Sequence, residues 1–162
     1  MANRLPPVLA LALLGAAPLT FAAGTVEVSF VEPQRFSDAG SNTVETERNT
    51  RVLADELQRL AQRLPDGQQL RVEVLDLDLA GSIRHGAHGD VRVLRGGADW
   101  PSLRLRYTLS SEGRPLRTGE ESIADLDYLH SPPSDPTATR LPYEQRLLAR
   151  WFSERIIGVQ AQ

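Results

Sequence analysis

Residues 70–79 (LRVEVLDLDL) constrain the fold most, because their apolar positions change phase half-way along. Leu70, Val72 and Val74 share one parity, and Leu75, Leu77 and Leu79 share the other. Side chains of a strand alternate between its two faces, so an uninterrupted strand cannot hold both sets against one core. A β-bulge near Val74 and Leu75 reconciles them. The alternative is a second half buried on both faces except at Asp76 and Asp78. Either way, two aspartates stand out of phase with an apolar run, a local conflict that both turns and functional sites produce.

The N-terminal residues 1–23 read as an export signal. Arg4 supplies the positive start, an apolar stretch spans 8–17, and small residues surround a cut after Ala22 or Ala23. That stretch is too short, and too interrupted by Pro18, to serve as a membrane span. The remainder, 24–162, is the length of one domain. Its composition is that of a globular protein, with 41% hydrophobic and 24% charged residues in the whole chain. A formal net charge of −3 argues against nucleic acid as partner. All 18 basic residues are arginine. Cysteine is absent, which excludes disulfides, a thiolate nucleophile, a cysteine metal site and a lipid anchor on cysteine.

Elements follow from periodicity. Residues 25–31 alternate as a half-buried strand that Pro33 ends. A helix is expected over 43–64, with Leu53, Leu57, Leu60 and Leu64 on one stripe, Asn42 and Glu45 as a capping pair, and a stop at Pro65-Asp66-Gly67. Its charged face, including Glu56 and Arg59, is expected in solvent. Residues 80–89 read as a loop and 90–95 as a short strand. After a turn at 96–99, residues 102–110 alternate cleanly and turn at 111–113 into a polar edge strand over 115–123. Prolines 132, 133 and 136 mark an irregular segment. A last helix runs over 142–157, with Leu141, Leu148, Trp151, Phe152 and Ile156 as its stripe.

The order β-α-β-β-β-β-α implies an α+β fold: a mostly antiparallel sheet with two helices on one face. Its open face would carry Arg71, Glu73, Arg104 and Arg106.

Two constellations are candidates for chemistry. Asp76, Asp78, His85, His88, Asp90 and Asp99 combine carboxylates with imidazoles at spacings that could hold a metal or supply an acid and a base. Turn capping accounts for aspartates at 76, 90 and 99 equally well. Arginines on the open face, Arg71, Arg92, Arg104 and Arg106, could grip an anionic envelope ligand. Cross-strand pairing with Glu73 and Glu121 would instead neutralise them. Trp100, in Asp99-Trp100-Pro101, plugs the end of the core or stacks on a ligand. No nucleophile elbow, phosphate loop or HExxH pattern occurs, and no motif requires a cofactor.

Several spaced stretches together resemble one bacterial family, the exported proteobacterial proteins of domain of unknown function 3016. They are VEVSFVEPQRFSDAG, the LPDGQQL at 64–70, DLDLAG at 76–81, DVRVLRGGADWPSLRLRY, DLDYL at 125–129 and YEQRLLARWF at 143–152. The resemblance spans nearly all of 24–162 and implies an exported envelope protein, without catalytic residues to carry over. The expected function is therefore a periplasmic or secreted, non-enzymatic binding or accessory protein. It would act on an envelope protein or anionic ligand through Asp76, Asp78, Asp99, Trp100, Arg104 and Arg106. The alternative is a small metal-dependent, hydrolase-like enzyme using the Asp/His loop 76–99, with His85, His88 and Asp90 as metal ligands.

Overall fold

A computed structural model describes residues 24–87, 89–130 and 139–158. The expected leader, His88 and prolines 132, 133 and 136 lie outside the described residues. In chain order come β1 (Thr25–Phe30), α1 (Thr43–Ala61), β2 (Gln68–Asp78), β3 (Ser82–Gly86), β4 (Gly89–Val93), β5 (Ser102–Ser111), β6 (Arg114–Ala124) and α2 (Pro142–Trp151). A π-helical turn, Phe152–Ile157, continues α2. The main sheet has the order β1-β2-β5-β6, with β1 parallel to β2 and the other pairs antiparallel.

The bulge falls where the phase change requires it. Val74 faces Leu105, Asp76 faces Arg104 and Leu77 faces Leu103, so Leu75 is the extra residue. Both apolar sets thereby reach the same core: Leu70, Val72, Val74, Leu77 and Leu79 are all buried, as are Leu103, Leu105, Tyr107 and Leu109 opposite them. Helices cover this face. Leu53, Leu57 and Leu60 of α1 are buried, and so are Leu147, Leu148, Trp151, Phe152 and Ile156 of α2 and its extension. Each such side chain contributes about 1.5–3 kcal/mol by leaving water. Asn42 caps α1 by accepting from Glu45 N at 3.0 Å, while the Glu45 carboxylate reaches back to Ser41 N at 2.9 Å. Glu56 departs from the solvated face expected for it. It is buried, because Arg59 folds over it with Nε donating at 2.9 Å.

The bulge also shapes the chain beside it. β1 follows β2 as far as the hydrogen bond from Val31 N to Val74 O, then leaves through a 3-10 turn at Pro33–Arg35. It returns at Asp38, whose N–H donates to Leu77 O at 2.8 Å and whose carbonyl accepts from Leu79 N at 3.1 Å. Asp76 holds the excursion in place. Its carboxylate accepts from Ser37 N and Ser37 Oγ, both at 2.8 Å.

Residues 80–89, expected as a loop, contain β3, and β3 pairs with β4 in a two-stranded ribbon separate from the main sheet. The sheet therefore has four strands, and the segment expected at 90–95 belongs to the ribbon. Alternation could not reveal this. The ribbon buries no face of its own, and Val91 is 61% exposed.

The bulge makes a direct prediction. Leu77→Ala should cost about 2–5 kcal/mol in denaturant unfolding, as a large-to-small core change does, whereas Leu75→Ala should cost below about 1 kcal/mol. Equal costs would mean that the extra residue has been misplaced.

Candidate functional site

The excursion after β1, the start of α1, the end of β2 and the base of the ribbon enclose a cleft of about 830 Å³. Phe36 and Ile83 supply apolar wall, Thr43 and Thr46 hydroxyl-bearing wall, and Asp38, Asp78 and Asp99 carboxylates. This size and mixture fit a small-molecule or peptide-segment site.

Each carboxylate arrives by a different route. Asp38 and Asp78 are neighbours through a parallel bridge that extends the β1–β2 pairing past the bulge. Like charges directly across strands repel, so the pair needs a counter-charge. Arg92 supplies one from β4. Its Nη1 donates to Asp38 Oδ2 at 2.8 Å and its Nη2 to Oδ1 at 3.0 Å, a bidentate pair. Arg92 also touches the carbonyls of Ala80 and Gly81, both at 3.3 Å, which ties the ribbon to the body. It is not part of an arginine face on the sheet, as its sequence position had suggested.

The Asp78 carboxylate has no hydrogen bond or ion pair among the described residues. Partial burial, then the neighbouring carboxylates of Asp38 and Asp76, push its pKa up, and Arg92 offsets only part of this. Asp99 is in the opposite condition. Burial works to raise its pKa, but donors outweigh it: Arg95 N at 2.9 Å and the Tyr128 hydroxyl at 2.8 Å hold the carboxylate below its ordinary range. Tyr128 is buried, and burial together with the Asp99 carboxylate pushes its phenol up to about 12. Asp99 is thus a strut that fixes the turn before Trp100. Trp100 packs with Leu129 against Ala80, Tyr128 and Tyr143, a small apolar cluster at the end of the core.

Of the residues marked from sequence, Asp78 and Asp99 meet in the cleft. Asp76, Arg104 and Arg106 come together elsewhere, around a shallow depression on the open sheet face. There Arg106 pairs with Glu73 at 3.1 Å and Glu120 at 3.0 Å, and Arg71 pairs with Glu27 at 2.9 Å. Glu121 takes no part in this pairing, contrary to expectation. It points to the helix side, where it accepts from the Tyr107 hydroxyl at 3.2 Å and lies 3.5 Å from Arg155. His85 and Asp90 pair across the ribbon at 2.7 Å, both exposed. Among the described residues, no three metal-capable side chains converge.

Three contributors were missed in the sequence. Asp38 looked like an ordinary loop former, and Tyr128 lay inside an irregular stretch. Glu144 had a visible signal: it falls three residues after Leu141 and four before Leu148, on the apolar stripe of α2. It is 2% exposed and accepts from Ala80 N at 2.7 Å, joining α2 to the corner between β2 and β3.

Burial raises the Glu144 pKa above its ordinary 4.5, against the opposing pull of the Ala80 N–H and of Arg92. The folded state therefore keeps a proton that the unfolded state has released. The resulting stability is complete below pH 4.5 and is lost as pH rises through the folded pKa. Glu144→Gln keeps an acceptor for Ala80 without a charge, so its unfolding free energy should not show that decline. Denaturant titrations of both proteins across this pH range check it, and parallel curves would contradict the assignment.

Comparison with known proteins places the chain. No curated protein matches it. Among solved structures it is similar to the crystal structure of protein XCC0632 from Xanthomonas campestris, family model DUF330. The identity is 9%, the coverage 83% of this chain and 82% of that one, and the TM-score 0.37. The model of the family described as protein of unknown function, DUF3016, matches residues 24–154. The chain belongs to that family.

Proposed function

We propose that this chain is an exported binding or accessory protein of the cell envelope, and that its ligand or partner segment lodges in the cleft beside Asp78. The observation that carries the cleft is its unequal use of carboxylates. Asp38 is consumed by Arg92 and Asp99 by Tyr128 and the backbone, which leaves Asp78 as the lining aspartate with no structural partner. A binding role rather than a catalytic one follows from the same commitments. A carboxylate locked by a guanidinium or a phenol is poorly placed to move protons, whereas a cleft that sets the Asp78 carboxylate among hydroxyl-bearing and apolar walls can orient a ligand. Export is supported by the apolar segment and small-residue cleavage region at 1–23.

The open sheet face is the less suitable surface. Arg71 and Arg106 have glutamate partners there, so little uncompensated positive charge is left for an anion.

Cell fractionation combined with site-specific photocrosslinking tests both parts. The mature chain, shortened after Ala22 or Ala23, should be found outside the cytoplasm. A photoreactive residue at Phe36 or Ile83 should capture a defined species that the same group at Thr118, on the open face, does not. Full-length protein retained in the cytoplasm would refute export, and capture from Thr118 alone would refute the cleft.

A further inference from the structure

We infer that the cleft selects an organic cation, an alkylammonium group joined to an apolar body, with the Asp78 carboxylate as its counter-charge. This rests on the binding reading above and specifies its ligand. The argument begins with a charge deficit. Asp38 and Asp78 abut across the parallel bridge, and one guanidinium, that of Arg92, serves both. Its two parallel hydrogen bonds go to Asp38, so the second carboxylate is compensated only in part. Asp76 adds negative charge behind it, and Asp99 and Glu47 add more along the walls.

No described residue lining the cleft is basic. Arg92 sits against Asp38, and with those two set against each other Asp78, Asp99 and Glu47 still leave the lining with an excess of negative charge, which disfavours phosphates and carboxylates and draws cations. The start of α1 would favour an anion through its helix dipole, but that end is already occupied. Asn42 caps it, and Glu45 sits in its first turn with its carboxylate on Ser41. The dipole therefore does not reverse the sign of the cleft.

The apolar half of the ligand follows from the walls. Pro33, Phe36, Ala39, Ile83 and Ala98 line the cleft, enough hydrocarbon to cover a short alkyl or aromatic body. A bare inorganic cation would leave these surfaces unused, and the described residues bring no third metal-capable side chain to Asp78. An ammonium fits better, because it donates hydrogen bonds to Asp78 while the hydrocarbon it carries covers the apolar walls.

Octylammonium, octanoate and octanol, titrated against the mature protein while amide resonances are followed by NMR, test the inference. Octylammonium should shift the amides of Phe36 and Ile83, and octanoate should leave them in place. Asp78→Asn, which also removes the repulsion with Asp38 and so should fold at least as stably, should weaken octylammonium binding by about tenfold, the loss of a charge-assisted hydrogen bond. A parallel titration with acetyl-Leu-Lys-Leu-amide distinguishes an ammonium carried by a peptide from a free amine by which of the two binds more tightly. Cleft shifts with octanoate or octanol equal to those with octylammonium would overturn the cation while leaving binding in the cleft intact. Undiminished octylammonium affinity in Asp78→Asn would do the same. If no probe moves a cleft resonance, the cation inference falls, and the crosslinking comparison decides the binding reading separately.

Discussion

The single extra residue in β2 is the constraint on which the rest depends. Because Leu75 bulges, Val74 and Leu77 face one core although their positions have opposite parity. A strand without the bulge would expose Leu77 and Leu79 and bury Asp76 and Asp78 under the helices. Two buried, unpaired carboxylates would be far more costly than the few ladder bonds that the bulge disrupts. The bulge also displaces the neighbouring chain, since β1 cannot follow β2 past it without the detour through Pro33–Arg35. The detour and its return at Asp38 build one wall of the cleft. Packing in the core and geometry at the surface thus have a common cause.

Polar side chains attach the outer elements to this core. Arg92 joins the ribbon to Asp38, Glu144 joins α2 to Ala80, and Arg146 joins α2 to the buried Asp125 at 2.8 Å. None of these is a strong net source of stability, since desolvation offsets much of each attraction. Their effect is positional. A two-stranded ribbon is marginal on its own, and the described contacts of β3 and β4 with the other elements are few. The bidentate Arg92 contact fixes the ribbon to the body beside the cleft.

Most of the architecture was legible because it is written in periodicity. The stripes at Leu53, Leu57 and Leu60 and at Leu148, Trp151 and Phe152 are buried as their spacing requires. The alternation at Leu103, Leu105, Tyr107 and Leu109 gave β5, and the broken alternation gave the bulge. What stayed hidden was whatever does not repeat. β3 has one half-buried apolar residue, Ile83, and no period to detect. The Asp38–Arg92 and Tyr128–Asp99 contacts join residues 54 and 29 positions apart, and no local pattern encodes such pairs. The candidate site was therefore only half visible. Asp78 and Asp99 were marked as aspartates near strand ends, but their meeting in one cleft is a product of the detour and the ribbon.

The same reasoning explains why crowded polar residues in this chain mislead. Between 76 and 99 the sequence offers carboxylates and imidazoles in a density that suggests catalysis. Followed to their partners, most are struts: Asp76 for Ser37, Asp90 for His85, Asp99 for Tyr128 and Arg95. A carboxylate with a structural partner has its lone pairs already engaged, so it has little left to offer a substrate. Among the described residues Asp78 is the carboxylate of the set that the fold leaves without a partner, and it lies beside a like charge that the fold could have avoided. An arrangement that opposes stability at one residue, inside a cleft, where the adjoining Asp38 and Asp99 carboxylates are already held, is where a ligand has most to contribute.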